Sequence, residues 1–98
     1  MNAELKLYKD CQSDEPSKVF VCRRLIYKVA KRIEELSNKI QKTKDGEEQE
    51  RLTVKILQSI FPDFGDDDLN YIDPNEYARF IQEIQSGTAE VLESAQKK

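Results

Sequence analysis

The stretch that decides the fold is CRRLIYKVAKRIEELSNKIQK, residues 22–42. Apolar side chains recur in it at alternating intervals of four and three residues, while Arg, Lys and Glu fill the opposite face. The stripe consists of Cys22, Ile26, Val29, Ile33, Leu36 and Ile40, and Leu25 widens it at one end. This spacing predicts an amphipathic helix from about Cys22 to Lys42, roughly 30 Å long. A stripe of this length is close to the lower limit for two helices to form a stable coiled coil on their own. It therefore favours a helix that forms one side of a small bundle over a free coiled coil.

Upstream of this helix, the sequence predicts a β element over residues 1–21. The segment AELKLYK (residues 3–9) alternates apolar and polar side chains, which indicates a strand with one buried face. After the polar turn DCQSDEPS, the segment KVFVC (residues 18–22) is rich in β-branched and aromatic residues. This second segment either pairs back on the first strand as a hairpin or forms the entry to the next helix.

A second helix is predicted after the turn at Asp45 and Gly46, where acidic residues in the first turn suit the helix dipole. Its buried face consists of Leu52, Ile56, Leu57, Ile60 and Phe61. Pro62 ends this helix, because proline removes a backbone donor and clashes with the preceding turn.

The last helix has an explicit start. Asp73 is placed as its N-cap, Pro74 at the first helical position and Glu76 as the partner in a capping box. The side chains that then recur at helical spacing are Tyr77, Phe80, Ile81 and Ile84. We expect Gly87 to interrupt the helix, which leaves residues 87–98 as a weak helix or a mobile tail.

These elements predict one domain over residues 1–98, with a helical core over residues 22–86. The fold class is mainly α: a small helical domain of three to four helices with a short N-terminal β-hairpin or strand. The composition agrees, because 38% hydrophobic and 36% charged residues with only three glycines and three prolines are typical of a helix-rich protein.

Composition also disfavours catalysis. The chain has no histidine, so the commonest general base and metal ligand is missing, and no glycine-rich phosphate loop is present. Cys11 and Cys22 lack the spacing of a zinc site. No apolar run approaches the length of a membrane span and no signal pattern opens the chain. We therefore expect a cytoplasmic protein that is not an enzyme, with no cofactor, no bound metal and no membrane partner.

The acidic segment FPDFGDDDLNYIDPNEYARF (residues 61–80) resembles part of a calcium-binding loop. A register with Glu76 at position 12 puts Gly65 and Leu69 where two oxygen ligands are needed. A shift of one residue restores the aspartates but places Tyr77 at position 12. The two halves are out of phase, so the sequence predicts helix capping on an acidic surface and no metal site.

Charge is unevenly placed along the chain. Residues 1–44 carry 11 basic and 6 acidic residues, whereas residues 45–98 carry 5 basic and 13 acidic residues. Five of the basic residues lie on the first helix: Arg23, Arg24, Lys28, Lys31 and Arg32. They would suit phosphates, but a pI near 5.0 and the acidic half disfavour nucleic acid. Either the halves attract each other or two faces have different partners.

The order of elements resembles the small tail assembly chaperones of long-tailed bacteriophages and of prophages of Gram-positive bacteria. The resemblance is carried by ELKLYKD, by RRLIYKVAKRIEELSNKI and above all by VKILQSIFPDFGDDDLNYIDPNEYARFIQEI. It implies a non-catalytic protein that coats the long, apolar tape measure protein and keeps it soluble until tail tube subunits assemble. It also implies synthesis in two lengths, the longer by a ribosomal frameshift. The alternative is a small cytoplasmic helical adaptor or regulatory module unrelated to phage.

Either function requires a protein-binding surface, and a groove between amphipathic helices would accept the apolar face of a client helix. Candidate groove residues on the first long helix are Ile26, Val29, Ile33 and Leu36, and those on the last are Tyr77, Phe80, Ile81 and Ile84. The competing interpretation of each is core packing, because so small a domain must first bury these side chains against each other. The sequence leaves open whether the chain also forms a homo-oligomer.

Overall fold

Residues 2–96 are described by a computed structural model, and within them the chain forms three α-helices and a two-stranded antiparallel sheet. In chain order the elements are strands β1 (Ala3–Leu7) and β2 (Lys18–Cys22), helices α1 (Tyr27–Lys42) and α2 (Gly46–Ile60), a 3₁₀ helix (Asp68–Tyr71) and helix α3 (Pro74–Gln96). The expected small helical domain with an N-terminal hairpin is confirmed at this level.

The segment KVFVC is the second strand of the hairpin. Ala3 of β1 lies opposite Cys22 of β2, and Leu7 lies opposite Lys18. The prediction that the first helix begins near Cys22 was therefore wrong, since α1 begins at Tyr27. Cys22 is buried in the sheet instead, where the β-branched residues before it fit the pleated backbone better than a helix.

Helix α3 runs without a break through Gly87, contrary to the expected interruption. Residues 87–96 are helical, and residues 97 and 98 of the expected tail lie outside the described part of the chain. A glycine inside a helix costs about 1 kcal/mol relative to alanine. Burial after Gly87 offsets this cost. The adjacent Thr88 is buried, with its hydroxyl donating to the Ile84 carbonyl, and Val91 on the following turn packs against the core.

The core is shared by the hairpin and all three helices. Its buried side chains include Leu5 and Leu7 of β1, Ile33 and Leu36 of α1, Leu52, Ile56 and Leu57 of α2, and Phe80 and Ile84 of α3. Aromatic rings connect the hairpin to this core. The centroid of the Phe20 ring lies 5.1 Å from that of Phe61 and 5.6 Å from that of Phe64. The centroids of the Phe61 and Phe80 rings are 5.8 Å apart. Phe20 therefore joins β2 to the segment that links α2 to α3.

The end of β1 is attached to the start of α3. Leu7 forms an antiparallel bridge with Ile72, and the Tyr8 amide donates to the Tyr71 carbonyl over 2.8 Å. The Tyr8 hydroxyl donates to both carboxylate oxygens of Glu76, at 2.5 and 2.9 Å. This charge-assisted hydrogen bond raises the pKa of Tyr8, and it fixes the hairpin against the helix that forms one wall of the site described next.

Candidate protein-binding groove

A groove of about 230 Å³ lies where the three helices meet. Its apolar lining consists of Ile33 and Ile40 from α1, Ile56 from α2, and Tyr77, Ile81 and Ile84 from α3. Polar side chains also line it, namely Ser37, Gln41, Thr53 and Gln85. A concave apolar surface with a few polar groups has the character of a binding site.

The sequence forms this groove because two helices carry the same spacing. On α1 the lining residues are Ile33, Ser37, Ile40 and Gln41, and on α3 they are Tyr77, Ile81, Ile84 and Gln85. Both sets follow the order i, i+4, i+7, i+8, which places every member on one face of its helix. The face of α1 contributes two isoleucines, a serine and a glutamine, and the face of α3 contributes three apolar residues and a glutamine.

The groove has a buried floor and a half-exposed rim. Ile33 and Ile84 form part of the floor and expose only 4% and 1% of their surface. Ile40, Tyr77 and Ile81 are half-buried, and they pack against the core while still lining the groove. Apolar surface thus stays accessible to a ligand at three adjacent positions, with the core beneath it already complete.

The structure separates the residues proposed from sequence into three groups. Ile33, Tyr77, Ile81 and Ile84 meet in the groove. Leu36 and Phe80 are core residues, so core packing accounts for them. Val29 and Ile26 line a different hollow near the start of α1, as described below.

Ile40 and Ile56 also line the groove, although they are not among the residues predicted from sequence to do so. The signal for Ile40 was present, because it lies seven residues after Ile33 on the same stripe. Ile56 was recognised only as part of the buried face of the second helix. Its place in the groove follows from how α2 packs against α1, a tertiary contact that the spacing of residues within one helix does not predict.

Among the described residues that line the groove, Tyr77 is the one titratable group. Burial raises its pKa to about 12, because the tyrosinate anion would lose solvation there. Within residues 2–96 its hydroxyl makes no hydrogen bond. The group is therefore neutral at physiological pH and can donate a hydrogen bond to a bound partner.

The acidic segment between α2 and α3 has structural partners. Asp73 caps α3 by accepting from the amides of Asn75 and Glu76, at 2.8 and 3.4 Å. Pro74 is the first residue of that helix. The capping box is only half formed, because the Glu76 carboxylate bonds to Tyr8 in place of the Asp73 amide.

The aspartates before this cap are engaged separately. Asp66 accepts from the Gln58 amide at 2.8 Å, and Asp68 accepts from the Gly65 backbone amide at 2.8 Å. Asp68 also lies 3.8 Å from the Lys18 ammonium. In the described part of the chain, no three acidic, cysteine or histidine side chains are grouped so as to hold a metal ion.

Comparison with protein-family models, with curated proteins and with solved structures finds no match for this chain. Among residues 2–96, no helix has the length and apolar character needed to cross a membrane. The groove between the three helices is the observation from which a function is proposed.

Proposed function

We propose that this chain is a non-catalytic binding protein that holds an amphipathic helix of a client in the groove between α1, α2 and α3. The observation that carries the proposal is the row of half-buried apolar side chains, Ile40, Tyr77 and Ile81, above a buried floor. A client helix with apolar residues at i, i+3 or i+4 and i+7 would contact this row over two turns.

The chemistry of the groove supports binding. Of the described residues that line it, only Tyr77 is ionisable, and its pKa of about 12 makes it a poor general base or acid at neutral pH. Its volume of about 230 Å³ is below the range usual for small-molecule pockets. The groove suits a few apolar side chains presented by a larger partner, with glutamines at its edge to pair with polar neighbours.

On the resemblance to tail assembly chaperones, we propose that the client is a phage tape measure protein, which is long, helical and apolar. The chain would cover the apolar face of this client and keep it soluble until tail tube subunits polymerise around it. A small helical adaptor would use the same groove for a shorter partner, so the identity of the client distinguishes the two functions.

The experiment is co-expression with the tape measure protein encoded in the same genome, followed by measurement of the soluble fraction of that client. Wild-type protein should keep the client soluble. Ile81→Asp, which places a charge on the groove rim, should lower the soluble amount by about tenfold. Val21→Asp is the matched control, because Val21 is 43% exposed on the hairpin, away from the groove.

Both variants must first be shown to fold, by circular dichroism and a thermal melt. A client that stays insoluble with wild-type protein would overturn the chaperone assignment and favour an adaptor. If folded Ile81→Asp were as effective as wild type, the groove itself would not be the binding site.

A further inference from the structure

A second surface, separate from the groove, surrounds Tyr27 at the start of α1. Tyr27 lines two neighbouring hollows. One, of about 720 Å³, is formed mainly by α1, with Ile26, Lys28, Val29, Lys31 and Arg32 in its wall. The other, of about 540 Å³, is formed with the end of α3, through Glu90, Val91, Ser94 and Ala95. We call these two hollows together the Tyr27 face.

The centre of the Tyr27 face is apolar and exposed. Ile26 and Tyr27 are adjacent and expose 55% and 50% of their surface. Val91 and Ala95 lie one helical turn apart on the neighbouring wall. Scattered apolar residues on a surface are ordinary, but contiguous ones beside a hollow indicate an interaction site.

Charges of opposite sign flank this centre. Lys28, Lys31 and Arg32 lie on the α1 side, and the Lys31 ammonium is 5.7 Å from the centre of the Tyr27 ring. Glu35 lines the same hollow and lies 3.8 Å from Arg32, so the net positive charge of this side comes from Lys28 and Lys31. Glu90 lies on the α3 side. Within residues 2–96, Lys28 forms no ion pair. The face is therefore basic on one side of Tyr27 and acidic on the other.

We infer that the partner of the Tyr27 face is a second copy of this chain, in a two-fold dimer. A two-fold interface uses the same patch on both subunits, so the patch must complement itself. Rotation about an axis near Tyr27 brings the basic side of one copy onto the acidic side of the other. Lys28 of each copy then faces Glu90 of the other, and each Tyr27 ring enters the hollow beside Val91 and Ala95.

The presence of both basic and acidic side chains on the Tyr27 face favours a second copy of this chain over other partners. A nucleic acid or an anionic membrane would be attracted by Lys28 and Lys31 but repelled by Glu90 and by the acidic half of the chain. A uniformly acidic peptide would meet the same repulsion. A partner that carries both signs in reversed order satisfies the whole face, and the face itself, rotated, is such a partner.

Dimerisation here leaves the groove free. Tyr27 and Ala95 lie at one end of the α1 and α3 pair, whereas Ile40 and Tyr77 lie at the other. The inference does not depend on the proposed function. If both hold, a dimer presents two grooves to one long client, and the second binding event is favoured by high effective concentration.

Sedimentation equilibrium of the whole chain, from micromolar to millimolar, tests the dimer. Wild type should reach twice the 11.4 kDa of one chain, and added salt should weaken it. Tyr27→Ser, Lys28→Glu and Glu90→Lys should each raise the dissociation constant at least about tenfold. An equimolar mixture of Lys28→Glu and Glu90→Lys should dimerise again, because the charges at these two positions then have opposite signs across the interface.

Lys44→Glu and Glu50→Lys are the controls, because these exposed residues change charge by the same amount near the opposite end of α1. Both should dimerise as wild type does, and a melt confirms that every variant folds. A wild type that stays monomeric to millimolar concentration would overturn the inference. So would a dimer that survives both charge reversals, or a mixture of the two that remains monomeric.

Discussion

At the scale of single residues, Asp73 determines where α3 begins. Its carboxylate accepts from two backbone amides of the first turn, which no helical carbonyl can pair. Asp73→Ala should lower the free energy of unfolding by about 1 kcal/mol, measured by urea denaturation. Asp67→Ala is the matched control, because Asp67 precedes the 3₁₀ helix without capping it and should change stability by less than about 0.5 kcal/mol. Equal losses of unfolding free energy in the two variants would show that negative charge in this segment stabilises the fold and that the Asp73 cap does not.

Tyr77 makes stability depend on alkaline pH. Its pKa is raised from 10.0 to about 12, so the folded state favours the protonated phenol. The stability due to this preference is complete below pH 10 and is lost as pH rises from about 10 to about 12. Wild type should therefore lose about 2 kcal/mol more than Tyr77→Phe across this range. Unfolding curves at several pH values measure the difference, and parallel losses in both proteins would contradict it.

The sequence can predict the helix cap and the helical spacing of the groove-lining residues, because both depend on positions within one helix. Asp73, Ile33 and Ile81 follow from such spacing. The bond from Tyr8 to Glu76 does not, since its partners are 68 positions apart and only the folded chain brings them together. The exposure of a side chain cannot be predicted from this spacing either, because Ile33 and Ile26 belong to one stripe, yet Ile33 is buried and Ile26 is exposed.

At the scale of elements, Phe20 attaches the hairpin to the helices. A two-stranded hairpin is marginal alone and needs such an anchor. Because its ring contacts Phe61 and Phe64, Phe20→Ala should cost about 2–3 kcal/mol of unfolding free energy, less than a fully buried phenylalanine. Val21→Ala is the control on the same strand, where the exposed side chain should contribute less than about 0.5 kcal/mol.

A urea titration followed by circular dichroism measures both variants. If Phe20→Ala were no less stable than Val21→Ala, the aromatic contacts would not hold the hairpin. A loss confined to Phe20→Ala would show that β2 is fixed by its buried face, as the structure indicates.

Element boundaries were less predictable than element types. Cys22 fits the helical spacing of the α1 residues, but in the structure it pairs with Ala3 and belongs to the hairpin. Gly87 has a low helix propensity and favours a break, yet burial of the adjacent Thr88 keeps α3 continuous. In both cases a tertiary contact outweighed a local preference of about 1 kcal/mol.

At the scale of the whole molecule, the antiparallel packing of α1 and α3 explains what the uneven charge does. Tyr27 near the start of α1 and Val91 near the end of α3 line one hollow, so basic and acidic segments become neighbours on one face. The opposite end of the same helix pair forms the apolar groove. Sequence shows that the two halves differ in charge, but only the fold places them side by side.

The proposed chaperone function makes a further prediction about the protein in its source cells. The resemblance to tail assembly chaperones implies synthesis in two lengths, which is frequent in that family. An immunoblot with an antibody against residues 34–50 should therefore reveal a minor, larger product that carries this same N-terminal sequence. Blocking the antibody with its own peptide should remove both bands, which excludes an unrelated protein. A helical adaptor needs no second length, so a single band at 11.4 kDa would count against the chaperone and leave helix binding in the groove to be judged by the Ile81→Asp variant.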